Sequence, residues 1–337
     1  MAKITDTITP SFPRRRIYNN ILETVGGTPL VKLNKVVEYY KIDPSTTILL
    51  KLEFFNPLSS VKDRVAFNIV YQALQDGRLR PGMELIEATS GNTGIGLCGV
   101  GNAYGFKVNI VMPTNESLER KLIIKACGAT LIETESSLGM QGSIALVDKM
   151  VKEDPQKYFA TNQFANPDNT NAHQSTAREI WEDTNGKVDI FVSVIGTTGT
   201  LIGVGENLKK KKKDFKVIAV QWDRIPCGGP YLPLCCERSG GFVPSIFKSE
   251  VVDDVVMYKI EDALKMARAV CKYDGIMIGN TAGLAVLAAL KEATKSENKG
   301  KTIVVIIPSS GERDMSTELY NTVDIGSKTE ILDELLN

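Results

Sequence analysis

The sequence predicts an α/β protein of two open twisted-sheet domains, with ligand-binding turns facing a common cleft between them. Three observations carry that expectation. Short β-branched runs alternate with helical stretches along the chain, the pattern of parallel sheets covered by helices on both faces. At 337 residues the chain suits two sheets better than one. Three of the predicted strands also run into turns of glycine and hydroxyl residues, and open α/β sheets bind ligands at the carboxyl ends of their strands.

In chain order, strands are expected at 47–53, 84–88, 107–112, 130–133, 189–195, 216–221 and 302–307. Each is a short apolar or alternating run bounded by polar or glycine residues. Helices are expected at 61–76, 93–104, 116–126, 140–153, 169–184, 200–213, 260–274 and 281–294, where the apolar positions recur at helical spacing. No repeat or low-complexity linker interrupts the series.

Strand 84–88 runs into Thr89-Ser90-Gly91-Asn92-Thr93-Gly94, strand 189–195 into Gly196-Thr197-Thr198-Gly199-Thr200, and strand 302–307 into Pro308-Ser309-Ser310-Gly311. The first two turns open a helix. A helix N-terminus offers free N–H groups and a positive dipole end to anions. The pattern therefore predicts at least two anion cradles facing a common cleft.

Composition excludes several classes. Lys plus Arg and Asp plus Glu are both 40, so no bulk field draws the chain to nucleic acid or an anionic membrane. No apolar run is long enough to span a bilayer. The single histidine, His173, argues against His-rich metal sites and leaves a Ser-His-Asp hydrolase resting on one residue; no metal is expected. The six cysteines, at 98, 127, 227, 235, 236 and 271, form no C-x-x-C pair. In a chain of this length they read as reduced and mostly buried small apolar residues. No signal-peptide core follows Arg14, Arg15 and Arg16, and Pro10 and Pro13 interrupt any transit helix. A cytoplasmic protein is expected.

The turn at Gly196 lacks the Gly-Lys-Ser/Thr of a P-loop and the spacing of a dinucleotide fingerprint. Alone it reads equally as a plain βα turn or a phosphate cup; the strand before it and the helix after it favour the cup. Lys62, in Ser59-Ser60-Val61-Lys62-Asp63-Arg64, opens a helix that the two serines are placed to cap. Most lysines in such a place are surface residues. Here a cation at a helix N-terminus is disfavoured, which helps the amine act as a neutral nucleophile. The flanks favour a Schiff-base lysine. The polar run from Thr89 to Thr93 exceeds what a helix cap needs and is expected to bind a carboxylate. Five consecutive lysines, 209–213, read as a solvated helix C-terminus. His173 reads as structural.

Taken together, these residues resemble the cysteine synthase (O-acetylserine sulfhydrylase) family of fold-type II pyridoxal-phosphate enzymes, whose fold is like that of the tryptophan synthase β chain. The resemblance spans 17–336. It rests on Val25-Gly26-Gly27-Thr28-Pro29-Leu30, Lys51-Leu52-Glu53, Asn56-Pro57 with Ser59 to Arg64, Glu87-Ala88 with Thr89 to Gly94, Asn162-Gln163-Phe164, Gly196 to Thr200, and Pro308-Ser309-Ser310-Gly311-Glu312-Arg313. One such motif is weak evidence; this many in family order are specific.

The resemblance implies pyridoxal 5'-phosphate as cofactor and a role for each matching residue. Lys62 is then the catalytic lysine that carries the cofactor and moves the α-proton. Gly196, Thr197, Thr198, Gly199 and Thr200 hold its phosphate, Asn92 its phenolic oxygen and Ser309 its pyridine nitrogen. Thr89, Ser90, Gly91, Thr93 and Gln163 bind the substrate carboxylate. A hydroxyl at the ring nitrogen cannot hold a full positive charge there, so the ring is a weaker electron sink, which suits β-elimination over transamination. The implied reaction is β-replacement: O-acetyl-L-serine loses acetate, sulfide adds and L-cysteine leaves. The resemblance further implies a homodimer and two domains. Residues 54–161 form the smaller, mobile one, with Lys62 near its start. Residues 1–53 plus 162–330 form the larger one, which carries the phosphate cup.

The family pattern changes at 222–240, where charged residues and Pro226, Pro230 and Pro233 enter a stretch that the family keeps small. Asn280-Thr281-Ala282-Gly283 also differs from the family's Ser-Ser-Gly. An irregular surface loop at 222–240 is expected, impairing catalysis more than cofactor affinity and altering the surface where serine acetyltransferase docks in the family. Two alternatives stay open at this point. One is a cofactor-binding but catalytically weak paralogue. The other is a different fold-type II enzyme such as cystathionine β-synthase or serine dehydratase, which often carry an added domain that the stretch after Arg313 is expected to be too short to hold.

Overall fold

The computed structural model describes residues 16–223 and 243–321. The segment 224–242, with Cys227, Cys235 and Cys236, lies outside the described residues, so most of the expected loop at 222–240 does too.

Among the described residues, ten strands form two sheets. The first has six strands in the order β1 (Leu30–Lys32), β2 (Thr47–Leu52), β10 (Thr302–Ile307), β7 (Ile190–Val194), β8 (Lys216–Trp222) and β9 (Asp254–Tyr258). Only the edge strand β1 runs antiparallel, pairing Leu30 with Lys51. The second has four parallel strands in the order β5 (Thr130–Thr134), β4 (Val108–Pro113), β3 (Glu84–Ala88) and β6 (Tyr158–Ala160).

Nine helices cover both faces of both sheets: α1 (Lys35–Tyr39), α2 (Lys62–Gln75), α3 (Asn92–Tyr104), α4 (Leu118–Ala126), α5 (Gly139–Glu153), α6 (Pro167–Asp183), α7 (Gly199–Lys211), α8 (Ile260–Ala269) and α9 (Asn280–Ala293), counted among the described residues. The strand alternation explains the layers. Leu85, Val108 and Ile110 face a core shared with α2, α3 and α4, while Ile86, Ala88 and Val111 face α5. Likewise Ile303, Val305 and Ile307 pack beneath α8 and α9, whereas Val304 and Ile306 pack against α6 and α7.

All seven expected strands and all eight expected helices are present, with ends shifted by a few residues. β1, β6, β9 and α1 are additional. The first two strands have three residues each, too few to show a period. The expected helix 260–274 is instead α8 followed by a π-helical turn, Val270–Asp274, that ends at Gly275 with φ of 71°. The lysine run is less solvated than expected. Lys209 pairs with Asp253 at 2.7 Å, Lys212 pairs with Asp189 at 2.5 Å, and Lys211 lies over the Trp181 ring. No described helix is long and apolar enough to cross a membrane.

Each sheet reverses its winding once. In the larger sheet the chain steps outward from β7 through β8 to β9, then returns to place β10 on the other side of β7. In the smaller sheet it steps from β3 through β4 to β5, then returns to place β6 beside β3. Such a switch point leaves a crevice outside the carboxyl ends of the two diverging strands. The loops at these crevices carry the site.

Candidate active site

Lys62 is the first residue of α2. Its amide donates to Ser60 Oγ at 3.2 Å. The expected pair of serine caps is not formed: the N-cap residue is Val61, Ser59 stands at a φ of 59°, and Ser60 Oγ takes the Lys62 amide. The backbone of this turn is tied to the loop after β10: Val61 N donates to Pro308 O at 2.8 Å, and Ser60 and Ser309 form a bridge. Lys62 Nζ donates to Thr197 Oγ1 at 3.3 Å. Burial lowers the amine's pKa to about 8, opposed by the nearby Glu87 carboxylate.

The turn carrying Lys62 rests on buried ions. Arg64 Nε and Nη2 reach Glu53 at 2.7 and 3.0 Å, and Nη1 and Nη2 reach Glu179 at 2.7 Å each. Lys51, with no exposed surface, donates to Thr28 O at 2.6 Å and pairs with Glu179 at 2.9 Å. Lysine and arginine are tolerated at such depth only when paired and hydrogen-bonded.

The loop after β7 turns sharply into α7. Thr198 stands in the left-handed region, φ 67°. A Cβ on Gly199 would lie 2.0 Å from Asn169 Oδ1, so only glycine fits this close approach. Asn169 Nδ2 bridges Gln163 O at 2.7 Å and Thr197 Oγ1 at 3.0 Å, joining the two crevices. Thr200 Oγ1 lies 3.1 Å from His173 Nε2, and His173 Nδ1 lies 3.2 Å from Thr176 Oγ1. Burial holds this histidine well below its ordinary pKa. It is a neutral brace behind the cup.

At the other crevice, Gly91 caps α3 with a φ of 136°, and its amide donates to Thr89 Oγ1 at 3.0 Å. Thr93 Oγ1 donates to Gln163 Oε1 at 2.5 Å, and Gln163 Nε2 donates to Ala88 O at 3.1 Å. Glu87 anchors this arrangement from below by accepting from Thr161 Oγ1 and from Gln163 N. Burial raises its carboxyl pKa to about 7, against those hydrogen bonds.

Lys62, Thr89, Ser90, Asn92, Thr93, Gln163, Gly196, Thr197, Thr198, Thr200 and Ser309 line one cleft. Gly91 and Gly199 shape the turns behind it. Arg120, Met140, Phe164 and Thr281 join the lining without having been expected from the sequence. Asn169 and Glu87 were likewise not assigned a role; their signal lies in contacts between distant segments.

The cleft can hold an anion next to an amine. At the start of α7 the Thr198 hydroxyl is buried and has no partner among the described residues. The Cβ direction of Gly196 is open, with no described residue within 4 Å. Amides of a helix N-terminus suit a phosphate here, and the lysine amine beside it suits an aldehyde.

That combination belongs to the pyridoxal-phosphate dependent enzymes, and the sequence profile of that family matches residues 21–309; the chain belongs to it. Within the class it stands among the cysteine synthases. Over 317 residues it is 42% identical to cysteine synthase A of Salmonella typhi, covering 90% of this chain and 96% of that one. It is similar to the crystal structure of a cysteine synthase of Entamoeba histolytica, with 58% identity, a TM-score of 0.90 and coverage of 98% of this chain and 99% of that one. An O-ureido-L-serine synthase is more distant, at 34% identity and a TM-score of 0.84 over 95% of this chain and 99% of that one. The two-sheet architecture is that of the fold-type II enzymes.

Pyridoxal phosphate fits the residues present. The buried, unpartnered Thr198 hydroxyl and the open hollow at Gly196 match its phosphate. The side chain at the Ser309 position is a hydroxyl and not a carboxylate.

Proposed function

We propose that this protein makes L-cysteine from O-acetyl-L-serine and sulfide, releasing acetate, with pyridoxal phosphate held on Lys62. The observation that carries the reading is the Lys62 amine, 3.3 Å from Thr197 in the cup. Bound pyridoxal phosphate supplies an electron sink for the substrate's α-carbon.

The chain's own groups do the rest. Gly196, Thr197, Thr198, Gly199 and Thr200 bind the phosphate with amides and hydroxyls. Thr89, Ser90, Gly91, Thr93 and Gln163 bind and orient the substrate carboxylate, fixing the α-hydrogen against Lys62. With its pKa near 8, the amine both accepts and returns a proton close to neutral pH. Ser309 donates a hydrogen bond to the ring nitrogen without supplying negative charge, and Asn92 addresses the ring oxygen.

The same reading includes a homodimer and a cytoplasmic location; docking of serine acetyltransferase depends on the altered stretch 222–240, most of which lies outside the described residues. It also treats 54–161, which contains the four-stranded sheet, as a smaller mobile domain over the remainder. Arg120 of α4 pairs with Asp314 at 2.8 Å and Ser117 donates to Arg313 O at 3.1 Å, contacts that such a motion must remake.

The test is to add O-acetylserine to the yellow holo-protein and follow the visible band, then add sulfide and assay cysteine. Loss of the band on the first addition, with its return and cysteine formation on the second, is expected. A band insensitive to O-acetylserine overturns the reading.

A further inference from the structure

Arg313 has no part in the chemistry assigned so far. It lies in the short turn Gly311–Asp314 after β10 and is only 5% exposed. Its Nη1 donates to Asn92 Oδ1 at 2.6 Å, and its Nη2 donates to the carbonyl oxygen of Leu58. One guanidinium therefore joins three pieces of the cleft: the loop that follows Ser309, the first residue of α3, and the loop that leads to Lys62.

A guanidinium has five donors and no acceptor. Burial lowers the Arg313 pKa only to about 10, with Asp63 supporting the charge, so it stays cationic near neutral pH. Asn92 can face it only with the oxygen of its carboxamide. The two ends of a carboxamide are nearly the same size, and without such a neighbour either could face the cleft. With Arg313 in place, Oδ1 is committed and Nδ2 is left as the free end of a cleft-lining side chain, with no partner among the described residues.

We propose that Arg313 is a positioning residue that fixes the Asn92 carboxamide as a hydrogen-bond donor toward the cofactor's ring oxygen. The inference rests on the cofactor reading above. It predicts that the two residues act as one unit, because Arg313 reaches the ring only through Asn92. The Leu58 contact is a separate brace and would act without Asn92.

The experiment titrates apo-protein with pyridoxal phosphate and reads the dissociation constant and the position of the visible band. It uses the wild type, Arg313→Met, Asn92→Ala, the double variant and Asn92→Asp. Each single variant is expected to weaken cofactor binding about tenfold, the usual reach of one hydrogen bond, and to move the band in the same direction. The double variant is expected to be no weaker than the worse single one. Asn92→Asp keeps a partner for Arg313 but has no donor, and is expected to behave like Asn92→Ala. That arm stands even if Arg313→Met does not fold. Multiplicative loss in the double variant, or wild-type binding by Asn92→Asp, overturns the proposal. A wild-type protein that develops no visible band overturns the cofactor reading itself, a distinct result.

Discussion

Val61 donates its backbone N–H to the carbonyl of Pro308 at 2.8 Å. The turn that presents Lys62 and the loop that presents Ser309 are thus joined through main-chain atoms. Their separation does not depend on either functional side chain, so both can be replaced without moving the other.

The first prediction follows from that independence. Lys62→Ala should fold with unchanged circular dichroism yet show no visible cofactor band. Borohydride reduction of the wild-type holo-protein should label Lys62 on peptide mapping. A label on another lysine would refute the assignment.

Ser309 is expected to set the reaction type. Ser309→Asp places a carboxylate where the ring nitrogen is expected, raising the ring's power as an electron sink and slowing β-replacement in a steady-state assay with O-acetylserine and sulfide. If Ser309→Ala and Ser309→Asp both turn over like the wild type, the serine is not the ring partner.

Gly199→Ala would drive a Cβ to 2.0 Å from Asn169 Oδ1. Asn169 also holds Thr197 and Gln163, so the push should spread into both crevices. Overpacking of this kind costs about 1–3 kcal/mol. A drop in melting temperature and at least tenfold weaker cofactor binding, by fluorescence titration, are expected.

Capture of the aldehyde needs the neutral amine. Since the Lys62 pKa is lowered to about 8, the rate of cofactor uptake by apo-protein should rise with pH up to about 8 and level off above it. Glu87 opposes that lowering; removing its charge with Glu87→Gln should move the midpoint to lower pH. Stopped-flow absorbance across pH 6–10 reads both, and an upward move would contradict the sign.

Arg64→Leu should destabilise the protein by about 3–5 kcal/mol in urea unfolding, because Glu53 would be left buried without its cation and Glu179 would keep only Lys51. A change under about 1 kcal/mol would show that the remaining Lys51 compensates.

What the sequence determined by itself is local. The short runs 84–88 and 302–307, the second wholly β-branched, mark strands because such residues suit a pleated strand buried on both faces, and Gly196 to Thr200 marks an anion turn because its glycines and hydroxyls follow one strand and open one helix. Lys62 could be placed at a helix start for the same reason. Tertiary structure decided everything that depends on residues meeting from far apart. The return of the chain to set β6 beside β3, and β10 beside β7, puts the crevices where they are. Yet β6 has three residues and no readable period. The contacts of Asn169 with Gln163 and Thr197, and of Arg313 with Asn92, leave no local pattern. The lowered pKa of Lys62 is likewise chiefly a product of burial: helix position foretold its direction, but removal of water from the amine requires the sheets and helices of both halves to close around it.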